Sequence, residues 1–187
     1  MNPEPAIKVW DIFVRVFHWS LVLTFFIAYF TEDDLMTLHT IAGYSVLALI
    51  SIRLLWGFIG SQHARFKDFL YPLSTTKKYL QTIMSGKALR YIGHNPAGGL
   101  MIVVLLITLF AVSITGIMLY GADNAGPFAS IFNNSSKMFK DILEETHDFF
   151  ANFTLFLIAI HLAGVLIESL IHKENLVKAM ITGFKKK

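Results

Sequence analysis

The chain has 187 residues, 55% of them hydrophobic, 14% aromatic and only 16% charged, with a net charge of +3. A soluble domain carries about 25% charged residues, so this composition excludes an ordinary water-facing globule, and +3 is too little for general nucleic-acid binding. There are no cysteines, which excludes disulfides, thiolate iron–sulfur sites and haem attached through Cys-x-x-Cys-His. Strong transition-metal ligation falls to the seven histidines.

A bilayer core of roughly 30 Å is crossed by about 20 apolar residues in a helix. Four segments meet that requirement, over residues 12–30, 38–59, 98–120 and 149–171. No small-residue cleavage site follows the first, so it reads as a span and not as a cleaved signal. Between the second and third, residues 71–84 mix Leu73, Tyr79, Leu80 and Ile83 with Lys77 and Lys78. That mixture predicts a short helix lying at a membrane interface. The third span has no charged residue, so its surface suits either lipid or a second copy in a homodimer. The connection over 121–144 opens with Gly-Ala-Asp-Asn-Ala-Gly-Pro, so it begins irregularly. There Phe128, Ile131, Phe132 and Met138 are suited to resting on the membrane surface. The fourth span carries His161 and Glu168. Without repeats or low-complexity stretches, residues 1–187 read as one all-α domain, an integral membrane four-helix bundle.

Charge orients it. If the spans alternate, 14 of the 16 lysines and arginines fall on one side, leaving only Lys137 and Lys140 on the other. That other side holds Glu32, Asp33, Asp34, Asp123, Asp141, Glu144, Glu145 and Asp148. The positive-inside rule places both termini and the 60–97 connection in the cytoplasm.

Ligating residues inside a span default to a functional reading. His18 lies near the cytoplasmic end of the first span and His39 at the outer end of the second. His147 enters the fourth span from outside, and His161 follows 14 residues later. Fourteen helical residues advance roughly 21 Å and turn to within about 40° of the starting direction. Both therefore look into the same interior at two depths. Two pairs follow: His39 with His147 on the outer side, His18 with His161 on the inner side. Two facing imidazoles are what a six-coordinate haem needs, whereas zinc wants three or four ligands on one ion. Any one of these histidines is explained as well by a polar residue hydrogen-bonded at a helix end. Four, matched in depth and sharing a face, argue for two haem b groups.

Other residues fit that reading less specifically. Gly43 and Gly164 follow His39 and His161 by about one turn and leave room for a macrocycle, although glycine is also common in membrane helix packing. Arg53 and Arg15 are candidate partners for haem propionates, against the alternative that both snorkel to headgroups. Glu168 suits proton relay or pairing with Arg53. Trp19 and Trp56 suit interface anchoring. His63, His94 and His172 are given no ligand role; His94 and the glycines after it form a candidate border for a quinone site.

Val9-Trp10-Asp11, then Arg15-Val16-Phe17-His18-Trp19, resemble the first span of the bacterial cytochrome b561 and nickel–iron hydrogenase b-type cytochrome family. So do Leu38-His39-Thr40-Ile41-Ala42-Gly43-Tyr44, Arg53-Leu54-Leu55-Trp56-Gly57, His63-Ala64-Arg65-Phe66 and His94-Asn95-Pro96-Ala97-Gly98-Gly99. The resemblance covers nearly the whole chain. It implies a four-span cytochrome with two b haems on His18, His39, His147 and His161, exchanging electrons between the quinone pool and a partner outside the membrane. The chain is short for a hydrogenase-bound member, which favours a smaller periplasmic cytochrome or other redox protein as that partner. Two further readings stay open. One is a superoxide:quinone oxidoreductase, as some short members of the family are; an acidic outer face is a poor funnel for that anion. The other is a haem-free proton or metal transporter or sensor.

Overall fold

The computed structural model describes residues 6–32 and 34–187; Asp33, one of the acids counted on the outer side, lies outside the described residues. In chain order the elements are β1 (Ala6–Lys8), α1 (Ile12–Phe30), α2 (Met36–Ile59), a 3-10 turn (Gln62–Ala64) and α3 (Phe66–Phe69). They continue with α4 (Leu73–Met84), α5 (Pro96–Ala122), α6 (Ala129–Phe132), α7 (Lys137–Ile171), α8 (Leu176–Thr182) and β2 (Phe184–Lys186). Helices α1, α2, α5 and α7 are long and apolar enough to cross a membrane. Large apolar side chains such as Leu23, Ile107, Phe156 and Leu166 are about 60% exposed on them. In water such faces would drive aggregation; in a bilayer they are the contact with lipid.

Helix starts are written in short polar side chains. Asp11 Oδ1 accepts from Val14 N–H at 2.7 Å, and Asn95 Oδ1 from Gly98 N–H at 2.7 Å. Ser136 Oγ accepts from Phe139 N–H at 3.2 Å, and Asn175 Oδ1 from Lys178 N–H at 2.7 Å. Each caps the third amide of its helix, one of the four donors that a helix start leaves unpaired. Pro96 follows Asn95 at the first helical position, where its missing N–H costs nothing. The expected helix within 71–84 is α4, with Thr76 and Tyr79 buried while Leu73, Leu80 and Met84 stay exposed. The fourth helix begins at Lys137, a dozen residues earlier than expected, inside the segment read as a connection. Charges in that segment hide it from a hydropathy reading, yet Leu143 is buried.

The chain divides into two compact units, and each membrane-length helix contributes to both. One unit comprises residues 1–20, 52–104 and 158–187, with 14 of the 16 basic residues. Its core joins Val9, Trp10, Val14, Ala64 and Ala179, flanked by Ile7, Trp56 and Met180. There β1 pairs antiparallel with β2, Ala6 opposite Lys186 and Lys8 opposite Phe184. The turn into β2 uses Gly183 at φ 89°, whose carbonyl accepts from Val9 and Trp10 N–H. The other unit comprises residues 21–51 and 105–157. Ala42, Val46 and Ile50 form a buried stripe along α2, with Phe25, Leu106, Leu109 and Leu157 buried as well.

Candidate haem-binding histidine pairs

His39 and His147 face each other in the unit formed by 21–51 and 105–157. Their ring centroids are 6.0 Å apart and their planes 75° apart. His39 stands on the first turn of α2, and its Nδ1 lies 2.9 Å from the carbonyl oxygen of Ala28. Ala28 is in the last turn of α1, and its carbonyl also accepts from Thr31 N–H at 3.3 Å. His147 Nδ1 lies 2.9 Å from the carbonyl oxygen of Val112 on α5. A carbonyl only accepts, so both Nδ1 atoms carry the proton and both Nε2 atoms keep a free lone pair. The second ring nitrogen of a metal-bound histidine is commonly fixed in this manner. Two imidazoles on opposite sides of one metal, at roughly 2 Å per bond, place their centroids about 6 Å apart. The measured separation matches that.

Gly116 makes room for His147, and the sequence reading missed it. A Cβ there would sit 2.8 Å from His147 Cε1 and 3.1 Å from Nδ1. The signal was available, since Gly116 lies in an otherwise bulky apolar span. Gly43 behaves differently: a Cβ there would meet nothing within 4 Å, and the same holds for Gly164. Open space therefore lies beside one histidine of each pair.

His18 on α1 and His161 on α7 belong to the other unit and interact electrostatically. His18 Nδ1 is shut off from solvent with no hydrogen-bond partner, and the Trp19 ring meets the His18 ring edge-on at 5.0 Å. Arg53 is 3% exposed, so it does not snorkel to headgroups. Its Nη2 donates to the carbonyl of Ala64 at 3.0 Å, and its guanidinium lies over Phe66 and Phe69. Arg15 Nη1 donates to the carbonyl of Ile181 at 2.5 Å, tying α1 to α8.

The expected alternative of a Glu168–Arg53 pair is replaced by other partners. Glu168 accepts from the Tyr79 hydroxyl at 2.8 Å and lies 3.3 Å from His172 Nε2. Burial and that carboxylate push the Tyr79 phenol up, keeping it protonated. His63 Nδ1 pairs with Asp68 at 2.8 Å. Trp56 is not a simple interface anchor: its indole donates to Asp11 Oδ2 at 3.2 Å, beside Ser61 Oγ at 2.5 Å. Among the described residues no group of three or more His, Cys, Asp or Glu could hold a metal ion. A metal ligated by two imidazoles must obtain its remaining bonds elsewhere, and a porphyrin supplies four nitrogens in one plane. The free Nε2 atoms of His39 and His147, their spacing and the space beside Gly43 and Gly164 all fit that group.

Membrane-length helices that set imidazoles in pairs, with room alongside, define the class of membrane-embedded helical cytochromes. The chain belongs to the prokaryotic cytochrome b561 family, whose sequence model matches residues 9–183. It is a multi-pass membrane b-type cytochrome of electron transfer, and haem b is its cofactor. Among curated proteins it is similar to the "Probable Ni/Fe-hydrogenase B-type cytochrome subunit" of Rhizobium leguminosarum bv. viciae, 24% identical over 95% of this chain and 88% of that one. The proteins of the same description from Azotobacter vinelandii and Azotobacter chroococcum mcd 1 are also 24% identical, over 99% of this chain and 90% of each. No solved structure matches the chain. The alignments run over 216 to 225 positions, more than the 187 residues here, so the relatives carry insertions.

Proposed function

We propose that the chain carries two haem b groups, one between His39 and His147 and one between His18 and His161, and moves electrons between the membrane quinone pool and a redox partner on the periplasmic side. The observation that carries this reading is the His39–His147 pair, with rings 6.0 Å apart and both Nδ1 atoms committed to backbone carbonyls. Bound haem supplies a one-electron ferric–ferrous couple. The protein's part is to hold the ligand tautomer, exclude water with an apolar shell and set the charge around each group.

The unit with 14 of the 16 basic residues faces the cytoplasm in this reading, as the positive-inside rule requires, and places the chain in the inner membrane. The relatives are named as hydrogenase subunits, which supports a redox enzyme or redox protein as partner here. Eight acids against two bases in the unit of 21–51 and 105–157 favour a partner with a basic docking face. Reduction of a basic soluble cytochrome should slow as salt is added, and a salt-independent rate would reject that steering.

The test of the haem assignment is a reduced-minus-oxidised spectrum of purified protein, with haem counted against protein as its pyridine derivative. Two low-spin b haems per chain are expected. One haem would leave a single pair as a ligand set and overturn the two-site reading.

A further inference from the structure

Two polar groups in the unit that holds His161 are left unsatisfied by the protein. Arg53 is buried, and its Nη1 has no hydrogen-bond partner. It makes no ion pair among the described residues. His94 stands just before α5, its ring 4.5 Å from that of Trp10 and 5.0 Å from that of Phe69. Its Nδ1 is likewise shut off from solvent and unpartnered. The two groups share a wall: the Arg53 guanidinium lies 5.9 Å from the Phe69 ring that His94 also meets. They also interact electrostatically, and His94 interacts with His161 as well.

Buried polar groups in folded proteins almost always have partners. The Asp11 carboxylate acts on the Arg53 guanidinium from beyond ion-pair distance; with Nη1 open beside an imidazole whose Nδ1 has no partner, the cluster calls for an acceptor closer in. Burial pushes His94 down to about 3, helped by the positive charges of Arg53 and Lys185 and by His161 and His63. At neutral pH the ring is therefore uncharged, with one N–H to donate. Trp10, Phe66 and Phe69 wall the cluster, so an anion that enters must be carried on an apolar body.

We propose that Arg53 and His94 together clamp a carboxylate, and that this carboxylate is a propionate arm of the haem held by His18 and His161. The inference rests on the ligand assignment above and adds His94, which that assignment leaves out. The guanidinium provides charge and the imidazole a directional donor; both are positioning groups that touch no iron ligand bond. A carboxylate near haem iron favours the ferric state, and a clamp that offsets its charge raises the midpoint potential.

The test is a spectrally resolved redox titration of the purified holoprotein, alongside its haem count. Arg53→Gln should shift one of the two haem potentials to more negative values and leave the other in place. His94→Phe should shift the same haem in the same direction by less, and His94→Gln, which restores a donor, should return it toward the parent value. Loss of that one haem in His94→Phe, with recovery in His94→Gln, carries the same meaning. Two haems with unmoved potentials in both Arg53→Gln and His94→Phe would overturn the clamp while leaving the ligands intact. A parent protein lacking the second haem would instead reject the ligand assignment. If the phenylalanine variant does not assemble, Arg53→Gln decides alone.

Discussion

The two histidine pairs are built on different principles. His39 and His147 are each locked by a backbone carbonyl, Ala28 for one and Val112 for the other, so the protein fixes their tautomers and ring directions. His18 has no such lock: its Nδ1 is buried and unpartnered. Its unit contains instead the charged cluster of Arg90, Lys185 and Glu174. One pair is positioned by hydrogen bonds to backbone carbonyls; in the other, His18 is held by packing alone. The first should tolerate little geometric change, and the second more.

Ligand removal tests that contrast most harshly. His147→Ala or His39→Ala should cut the haem count from two to one per chain, leaving the other haem's spectrum unchanged. Next in size is Gly116→Val. Its added carbons collide with the His147 ring, which lies 2.8 Å from where a Cβ would stand, so the same haem should lose most of its occupancy while protein yield holds. Gly43→Leu and Gly164→Leu sharpen the comparison, because nothing in the protein opposes a Cβ at either site. Each should weaken one haem several-fold with little effect on helix content by circular dichroism.

A smaller effect is expected at Asp11, which caps α1 and receives Ser61 and Trp56. Asp11→Ala should cost about 1–2 kcal/mol, the usual worth of a helix cap, read as a lowered melting temperature in detergent. Burial alone would raise this carboxyl, but hydrogen bonds from Ser61, Val14, Trp56 and Phe13 outweigh it and hold it below 3.8. Its contribution is therefore complete above pH about 4 and is lost as pH falls through the lowered value. The smallest effect belongs to Lys77→Gln on the exposed side of α4, within about 0.5 kcal/mol.

How much of this could be read from the residues differs by element. The four spans were legible because lipid-facing surface must be apolar over a fixed length. The start of α7 was not, because its first turns carry Lys140, Asp141, Glu144 and Glu145 and resemble a loop to any hydropathy window. The His39–His147 pairing was legible from depth alone, since helix rise is constant. Gly116 and the carbonyls of Ala28 and Val112 were not, because backbone acceptors leave no mark in a sequence. Arg53 was ambiguous between snorkelling and burial until the Phe66 and Phe69 rings were seen beneath it. The pairing of β1 with β2 joins residues about as far apart as the chain allows, beyond any local pattern.

That pairing also imposes an order in time. Ala6–Lys8 have no strand partner until Phe184–Lys186 have been made, and synthesis runs at about 5–20 residues per second. For roughly ten to thirty seconds the first strand must wait at the membrane while three more spans are threaded beside it. The unit that holds His18 thus closes only after His161 and the latch behind it have both emerged. In the proposed two-haem arrangement, loading at the His18–His161 pair is the late event of biogenesis, after the unit of His39 and His147 has all of its helices in hand.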